Sequence, residues 1–419
     1  MLGVTRRLDF GLSRELWLVQ VGILLNAFGY GAVLPFEVIY LHDGRGFSFG
    51  VAGIVVGLIT GVAVVAAPIS GRLIDRYGAR TTAVGGGIAL AAGYGGLAFA
   101  ATPAVAFAAA ALAGAGNGAL NPSQSALLAA LAPSELRHRA TAVSRVAGNA
   151  GMGLGAALGG LVAAYGLTGF VALFLFNALT YLLYVAVLVV VVRDGLRPEP
   201  VAGGYRLVVR DRAFMRLALT NVAMIAVGWG VFTWLVPPYA ANQIGVGARL
   251  IGLLLLANAA TVVVAQVPIA KLAEGRRRVV MMAVAATIFA GACLLVLWAD
   301  FVPVAAYPAL IVACIAVGLG ECFHTSALVP LVADLAPPGL RGRYMASMGL
   351  SWWVGLALAP TIGLPLLSIS PAAAFLTAAA VATAAGVSAL ALDRSLPVAS
   401  RLTPRPTGTV LGPKQGAHR

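Results

Sequence analysis

The chain has 419 residues, of which 60% are apolar and only 10% charged, and its mean hydropathy is +0.95. Soluble domains carry about 25% charged residues, so a water-soluble enzyme is excluded: there is too little polar surface to coat a chain this long. The net charge of +14 does not indicate nucleic acid, because the arginines sit in brief loops between apolar blocks rather than along one face, a pattern that belongs to the lipid bilayer.

A membrane-spanning helix needs about 20 apolar residues. Runs bounded by charge, glycine or proline predict spans at 16–41, 49–70, 81–101, 104–131, 140–165 and 168–192, then 217–241, 249–270, 279–299, 303–333, 343–367 and 371–392. Arg6, Arg7 and Arg14 precede the first run, which continues from Leu16 to Leu41. That is too long for a cleaved signal segment, so the first span is expected to be retained. It carries Asn26, Tyr30 and Glu37. The fourth supplies Asn117 and Asn121, and the fifth Arg145 and Asn149 beside Gly151, Gly155 and Gly159. Glycines four apart share a helix face and make a flat stripe for close packing, whereas Arg145 and Asn149 occupy a different side. The seventh span carries Asn221, Trp229 and Trp234, and Trp352 and Trp353 begin the eleventh. Together these polar and aromatic residues predict an aromatic, amide-bearing cavity suited to amphipathic or lipophilic cargo. Tryptophans near span ends are equally common as interface anchors. Cys293, Cys314 and Cys322 all lie in apolar stretches and read as small core residues. The four histidines, at 42, 138, 324 and 418, assemble no metal cluster with nearby acids by local spacing, so neither a metal nor another cofactor is expected.

Of the 28 basic residues, all but Arg45 and Arg249 fall on one side of this topology. The positive-inside rule then predicts a multi-pass cell-membrane protein with both termini in the cytoplasm. The predicted organisation is a six-helix bundle at 1–192, a cytoplasmic linker at 193–216, a second bundle at 217–394 and a disordered cytoplasmic tail at 395–419. Within the linker, 205–216 reads either as a helix lying on the membrane surface or as a solvated segment. An internal repeat supports the two halves. A shift of 204 residues superimposes Pro133, Leu136, Arg137, Arg139 and Gly151 on Pro337, Leu340, Arg341, Arg343 and Gly355; it also sets Gly114, Gly116 and Gly159 on Gly318, Gly320 and Gly363. Paired halves of this kind enclose a binding site near the midplane.

The loop between the second and third spans reads GRLIDRYGAR, with Gly71, Asp75, Arg76, Gly78 and Arg80 in order. It resembles the signature loop of the major facilitator superfamily, and a shorter copy lies at Ala270–Arg278 with Glu274 as its acid. Gly29 and Pro35 resemble the family's first-helix pattern. The stripe Gly151, Gly155, Gly159 and Gly160 resembles the fifth-helix motif of its drug:proton antiporter branch, with Ala156 where that motif has proline. The fourth span departs from the family pattern: with Gly116 as its glycine, Leu112 stands where an arginine would. The resemblance implies an all-α membrane fold of twelve helices in two pseudo-symmetric bundles. It further implies that Asp75 holds the halves together against the start of the eleventh helix near Arg341; Asp334 would act equivalently with Lys271 or Arg276.

Glu321 lies deep in the tenth span, where an ionised carboxylate costs about 2.5–3.5 kcal/mol and is usually functional or paired. His324 lies three residues on, toward the same helical face, and Thr325 adds a hydroxyl one turn away. The repeat sets Asn117 and Leu120 opposite Glu321 and His324, so only one half carries titratable groups here. Glu321 and His324 are the predicted proton-coupling element, with Glu37 as the alternative acid and packing of the pair as the plainer reading. The expectation is a secondary transporter that exports small amphipathic molecules in exchange for protons. A solute importer is the nearest rival, and a non-transporting sensor or a polytopic enzyme the rivals of another class.

Overall fold

A computed structural model describes residues 12–132, 137–192, 206–337, 340–397 and 400–402. Among them run twelve long helices. The first six are α1 (Arg14–Val33), α2 (Phe49–Tyr77), α3 (Ala79–Ala98), α4 (Pro103–Leu131), α5 (Arg137–Ala163) and α6 (Leu167–Val191); then come α7 (Arg212–Ile225), α8 (Ala248–Ala273), α9 (Arg278–Ala299), α10 (Ala306–Leu335), α11 (Arg341–Ile369) and α12 (Pro371–Leu392). No strand is formed among the described residues, only one isolated bridge, Arg277 to Leu402. The first helix continues through a 3₁₀ turn and a short α segment into a π turn ending at Gly44, and the seventh through a π turn at Ala226–Gly230 as far as Asn242.

Local chemistry sets where the helices start. The side chains of Ser13, Ser48, Thr102, Asp211 and Ser370 each accept the backbone N–H three residues on, the N-cap arrangement that satisfies an orphan donor. Pro103 and Pro371 occupy first-turn positions where no N–H is needed. Eleven helices are long and apolar enough to cross a membrane. The twelfth, α3, falls short because Arg80, Thr81, Thr82 and its many glycines dilute its hydropathy. At about 1.5 Å per residue its 20 residues still reach roughly 30 Å, and it is packed against α4 and α6.

The 204-residue repeat is present in three dimensions. A Cβ on Gly114 would meet Ile59 O of α2 at 2.7 Å, and one on Gly318 would meet Asn258 O of α8 at 3.0 Å. Gly116 and Gly320 abut Leu90 of α3 and Phe289 of α9; Gly151 and Gly355 abut Leu24 of α1 and Val222 of α7. Corresponding glycines therefore make corresponding close approaches in each half. Within the first half, Gly151, Gly155 and Gly159 lie directly on the α1 backbone at Leu24, Phe28 and Ala32, so the predicted stripe is a packing surface. The adjacent side of α5 faces α8, where Gly252 approaches the carbonyl of Ala156. The halves also join where Gly53 of α2 meets Pro360 of α11.

Two boundaries differ from the sequence expectation. The seventh helix begins at Arg212, inside the stretch read as linker, because Asp211 caps it; a separate short helix runs Arg206–Arg210 with Leu207 and Val209 exposed and Val208 buried. The start of the tail folds back rather than leaving the bundle: Leu396 and Ser400 are buried, and Arg278 N donates to Arg401 O at 2.9 Å. Positions 193–205 and 403–419, which carry the rest of those two expectations, lie outside the described residues, as do 1–11.

Candidate functional site

Between the halves lies a cavity of about 300 Å³. Asn26 and Tyr30 of α1, Asn117 and Asn121 of α4, Trp229 and Trp234 of the seventh helix, and Trp352 and Trp353 of α11 line it. The π turn explains how Trp229 arrives there. An i→i+5 turn inserts an extra residue, and Gly228 and Gly230 within it allow Phe289 and Ala359 to approach closely. The Trp229 ring then sits 5.5 Å from that of Trp352 at an angle of 57°. Asn121 is exposed, and it lies toward the linker end of α4, so the cavity is reached from the end of the bundle that carries the linker.

The opposite end is closed. Glu37, 2% exposed, accepts Tyr94 Oη at 3.1 Å on Oε1 and Trp234 Nε1 at 3.1 Å on Oε2. Tyr94 belongs to the same half, whereas Trp234 belongs to the other, so this carboxylate ties the two bundles together. Around it Leu34, Phe36, Leu235, Val236 and Tyr239 are all buried, and the Asn242 side chain faces Asp43 nearer the surface.

Glu321 lies on the far side of Trp229 from the main cavity, in a smaller pocket that also holds Asn149, Asn258 and Cys314. Asn258 Nδ2 donates to Glu321 Oε1 at 3.1 Å, and the Trp229 side chain faces the same carboxyl. Among the described residues no hydrogen bond joins Glu321 to His324. A step of three turns the helix about 300°; His324 is accordingly directed into the bundle of its own half, 2% exposed with Nε2 unpartnered. Thr325 Oγ1 donates to Glu321 O at 2.8 Å and lies 3.3 Å from Gln266 Oε1, so its hydroxyl sits at the α8–α10 contact rather than on the cavity. Asn221 is likewise withdrawn, buried and donating to Ser351 Oγ at 2.7 Å. Arg145 is exposed and lines neither pocket, and Asn149 reaches only the smaller one.

The signature loop divides into parts. Gly71 is inside α2, and the turn is made at Gly78, whose φ of 89° suits glycine. Arg80 donates to Leu188 O and Val189 O, closing the carbonyl end of α6. Arg76 lies over the ring of Tyr77. The side chains of Asp75 and Arg341 lie outside the described residues. Asp334 is paired, but with neither predicted base: Arg278 Nη2 donates to its Oδ2 at 2.7 Å, while Lys271 and Arg276 are exposed. Gly275, at φ 71°, redirects the chain so that Arg278 becomes the first residue of α9 and points inward. Arg277 pairs with Asp393 instead. The three cysteines are buried and unbridged.

Sequence reasoning missed four residues. Tyr181 and Gln124 line the cavity, Tyr94 holds Glu37, and Asn258 holds Glu321. Each is a polar or phenolic side chain within an otherwise apolar span, and that was the available signal.

The sequence model of the Major Facilitator Superfamily matches residues 20–237 and 217–415. An MFS-type transporter of Bacillus subtilis (strain 168), YqjV, is 26% identical over 357 residues, covering 83% of this chain and 85% of the relative. The multidrug resistance protein MdtH of Aeromonas hydrophila subsp. hydrophila is 27% identical over 356 residues, with 83% and 85% covered. Among solved structures, a POT family transporter in complex with 5-aminolevulinic acid superimposes with a TM-score of 0.77 at 13% identity, covering 92% of this chain and 97% of that one. The peptide transporter POT in complex with sulfate gives 0.75 at 17%, covering 92% and 96%. These relatives are transporters, not enzymes.

Proposed function

The chain belongs to the major facilitator superfamily, and on that premise we propose that it exports small amphipathic or lipophilic molecules in exchange for protons, its halves rocking about the central cavity. The observation that carries this is the cavity wall: tryptophans, tyrosines and amides with no lysine or arginine among its described residues, flanked by the buried carboxyl of Glu37 and the half-buried one of Glu321. Rings and amides fit cargo with an apolar body and a polar edge, and a carboxyl held inside a membrane is a place to put a proton. The name of the MdtH relatives supports the export direction. In this mechanism Glu321 takes and releases the proton, with His324 as its buried neighbour on α10 and Glu37 as the alternative acid. The signature loop, with Asp75 and Arg341, and the Asp334–Arg278 pair govern rocking at the linker end.

Reconstitution into liposomes with an imposed pH gradient tests the reading. A panel of labelled, permanently charged amphipathic compounds is expected to yield members that accumulate on the acidic side, with accumulation collapsed by a protonophore. Accumulation on the alkaline side would identify a proton-coupled importer, and no gradient-dependent flux of any compound would leave a sensor.

The cell membrane is the proposed location, with both termini in the cytoplasm. Because the three native cysteines are buried, cysteines introduced singly report topology cleanly. Impermeant thiol reagent added outside intact cells is expected to label positions 45 and 249 and to spare 206 and 405. Labelling at 206 would overturn the orientation.

A further inference from the structure

At the linker end, outside the transport pathway, the start of α7 and the end of α12 enclose a cleft of about 640 Å³ lined by Arg216, Val387, Leu390, Ala391, Arg394 and Ser395. The two helices are fixed to each other just beneath it by the hydrogen bond between Thr220 Oγ1 and Ser388 Oγ, 2.8 Å long. Arg216 and Arg394 are both exposed, and neither guanidinium has a hydrogen-bond or ion-pair partner among the described residues. Among the described residues no carboxylate lines the cleft. The nearest acids in sequence are already engaged: Asp211 accepts Phe214 N and Tyr344 Oη, and Asp393 accepts Arg277. Val387 and Leu390 are 63% and 48% exposed, so the cleft opens along an apolar wall on the lipid-facing side of α12. The short helix Arg206–Arg210 adds further exposed arginines and the exposed Leu207 and Val209 to the same end of the molecule.

We propose that this cleft binds an anionic phospholipid: Arg216 and Arg394 clasp the headgroup phosphate, and one acyl chain runs along Val387 and Leu390. Charge complementarity selects the occupant. Two unpartnered guanidinium groups, one from each side of the cleft and each a planar fork of N–H donors, match a phosphate's oxygens. A basic rim directly above an exposed apolar strip matches a molecule with a charged head and an apolar tail, which a free anion lacks. A lipid without compensating positive charge in its headgroup is favoured for the same reason. By joining α7, which follows the linker, to α12, which precedes the tail, the lipid braces the second half at its membrane boundary.

Native mass spectrometry of the purified full chain, titrated with phosphatidylglycerol, phosphatidylethanolamine or inorganic phosphate, tests the assignment. A surface arginine contributes roughly fivefold to binding of an anionic lipid. The double substitution Arg216→Gln/Arg394→Gln is therefore expected to weaken phosphatidylglycerol binding about thirtyfold while leaving phosphatidylethanolamine unchanged. Arg249→Gln, which removes one charge at the opposite end of the molecule, is expected to change neither. Val387→Trp keeps both charges and fills the acyl strip, and is expected to weaken phosphatidylglycerol about tenfold; it carries the test if the glutamine pair does not fold. Phosphatidylglycerol binding within twofold of the unaltered chain in either variant overturns the proposal. Displacement of the lipid by millimolar inorganic phosphate overturns it too, since the cleft would then be a small-anion site.

Discussion

Replacing Glu321 by Gln is expected to reduce proton-driven flux at least tenfold, to the level of protein-free liposomes, while exchange of labelled for unlabelled substrate stays within about twofold. The substitution is nearly isosteric. The glutamine carbonyl can still accept from Asn258, as Glu321 Oε1 does at 3.1 Å, and the Trp229 side chain keeps a polar group to face. What is lost is the ability to exchange a proton. Trp229, together with Met152, lines both the pocket around Glu321 and the main cavity. Cargo that displaces this indole would therefore change the surroundings of the carboxyl without touching it, a physical route from substrate binding to protonation. Undiminished uphill transport by Glu321→Gln would transfer the coupling role to Glu37. Loss of exchange along with uphill transport would mean instead that Glu321 is needed for binding or folding.

The spans were legible because burial in lipid leaves a compositional record in every helix. Only α3 lacked one by the length-and-hydropathy measure, since glycine and threonine satisfy packing against α4 and α6 without raising hydropathy. The repeat was legible too, because close backbone approach at Gly114 and Gly318, or Gly151 and Gly355, tolerates no side chain. Interactions set by rotation about a helix axis were harder to read. His324 follows Glu321 by three residues and shares a general direction, yet 60° of rotation directs it into its own half. Arg276, Arg277 and Arg278 look equivalent in a string of three, but a positive-φ glycine just before them sends Arg278 inward to Asp334 and Arg277 to Asp393. Least legible was the bond between Glu37 and Trp234. Its partners stand 197 residues apart, and each alone is unremarkable: an acid near a span end, and a tryptophan at a depth where interface anchors are common.

That bond yields the second large expected effect. Trp234→Phe retains an aromatic ring in a site that is 2% exposed and so avoids the cavity that alanine would leave. It removes the N–H that crosses from the second half to Glu37. A net hydrogen bond contributes about 1 kcal/mol, so the substitution should move the equilibrium about fivefold toward a state open at the end opposite the linker. Spin labels at Gly50→Cys and Gly247→Cys sit on different halves at that end; nothing lies closer than 3.8 Å to a Cβ at Gly50, and nothing within 4 Å at Gly247. Their distance distribution should gain a longer component in Trp234→Phe. The carboxyl makes the same latch sensitive to protons. Ionised, Glu37 offers charged acceptor oxygens to both Trp234 and Tyr94; protonated, it can still meet Tyr94, whose hydroxyl can reverse to accept, but it loses the charge that strengthens its bond to the donor-only Trp234 N–H. Acidification should therefore enlarge the longer component in the unaltered protein. In Glu37→Gln, whose amide is uncharged at every pH and so accepts the Trp234 N–H more weakly, that component should be large throughout. A distribution that ignores both substitutions would mean that the apolar packing of Leu34, Phe36 and Leu235 closes this end without the hydrogen bond.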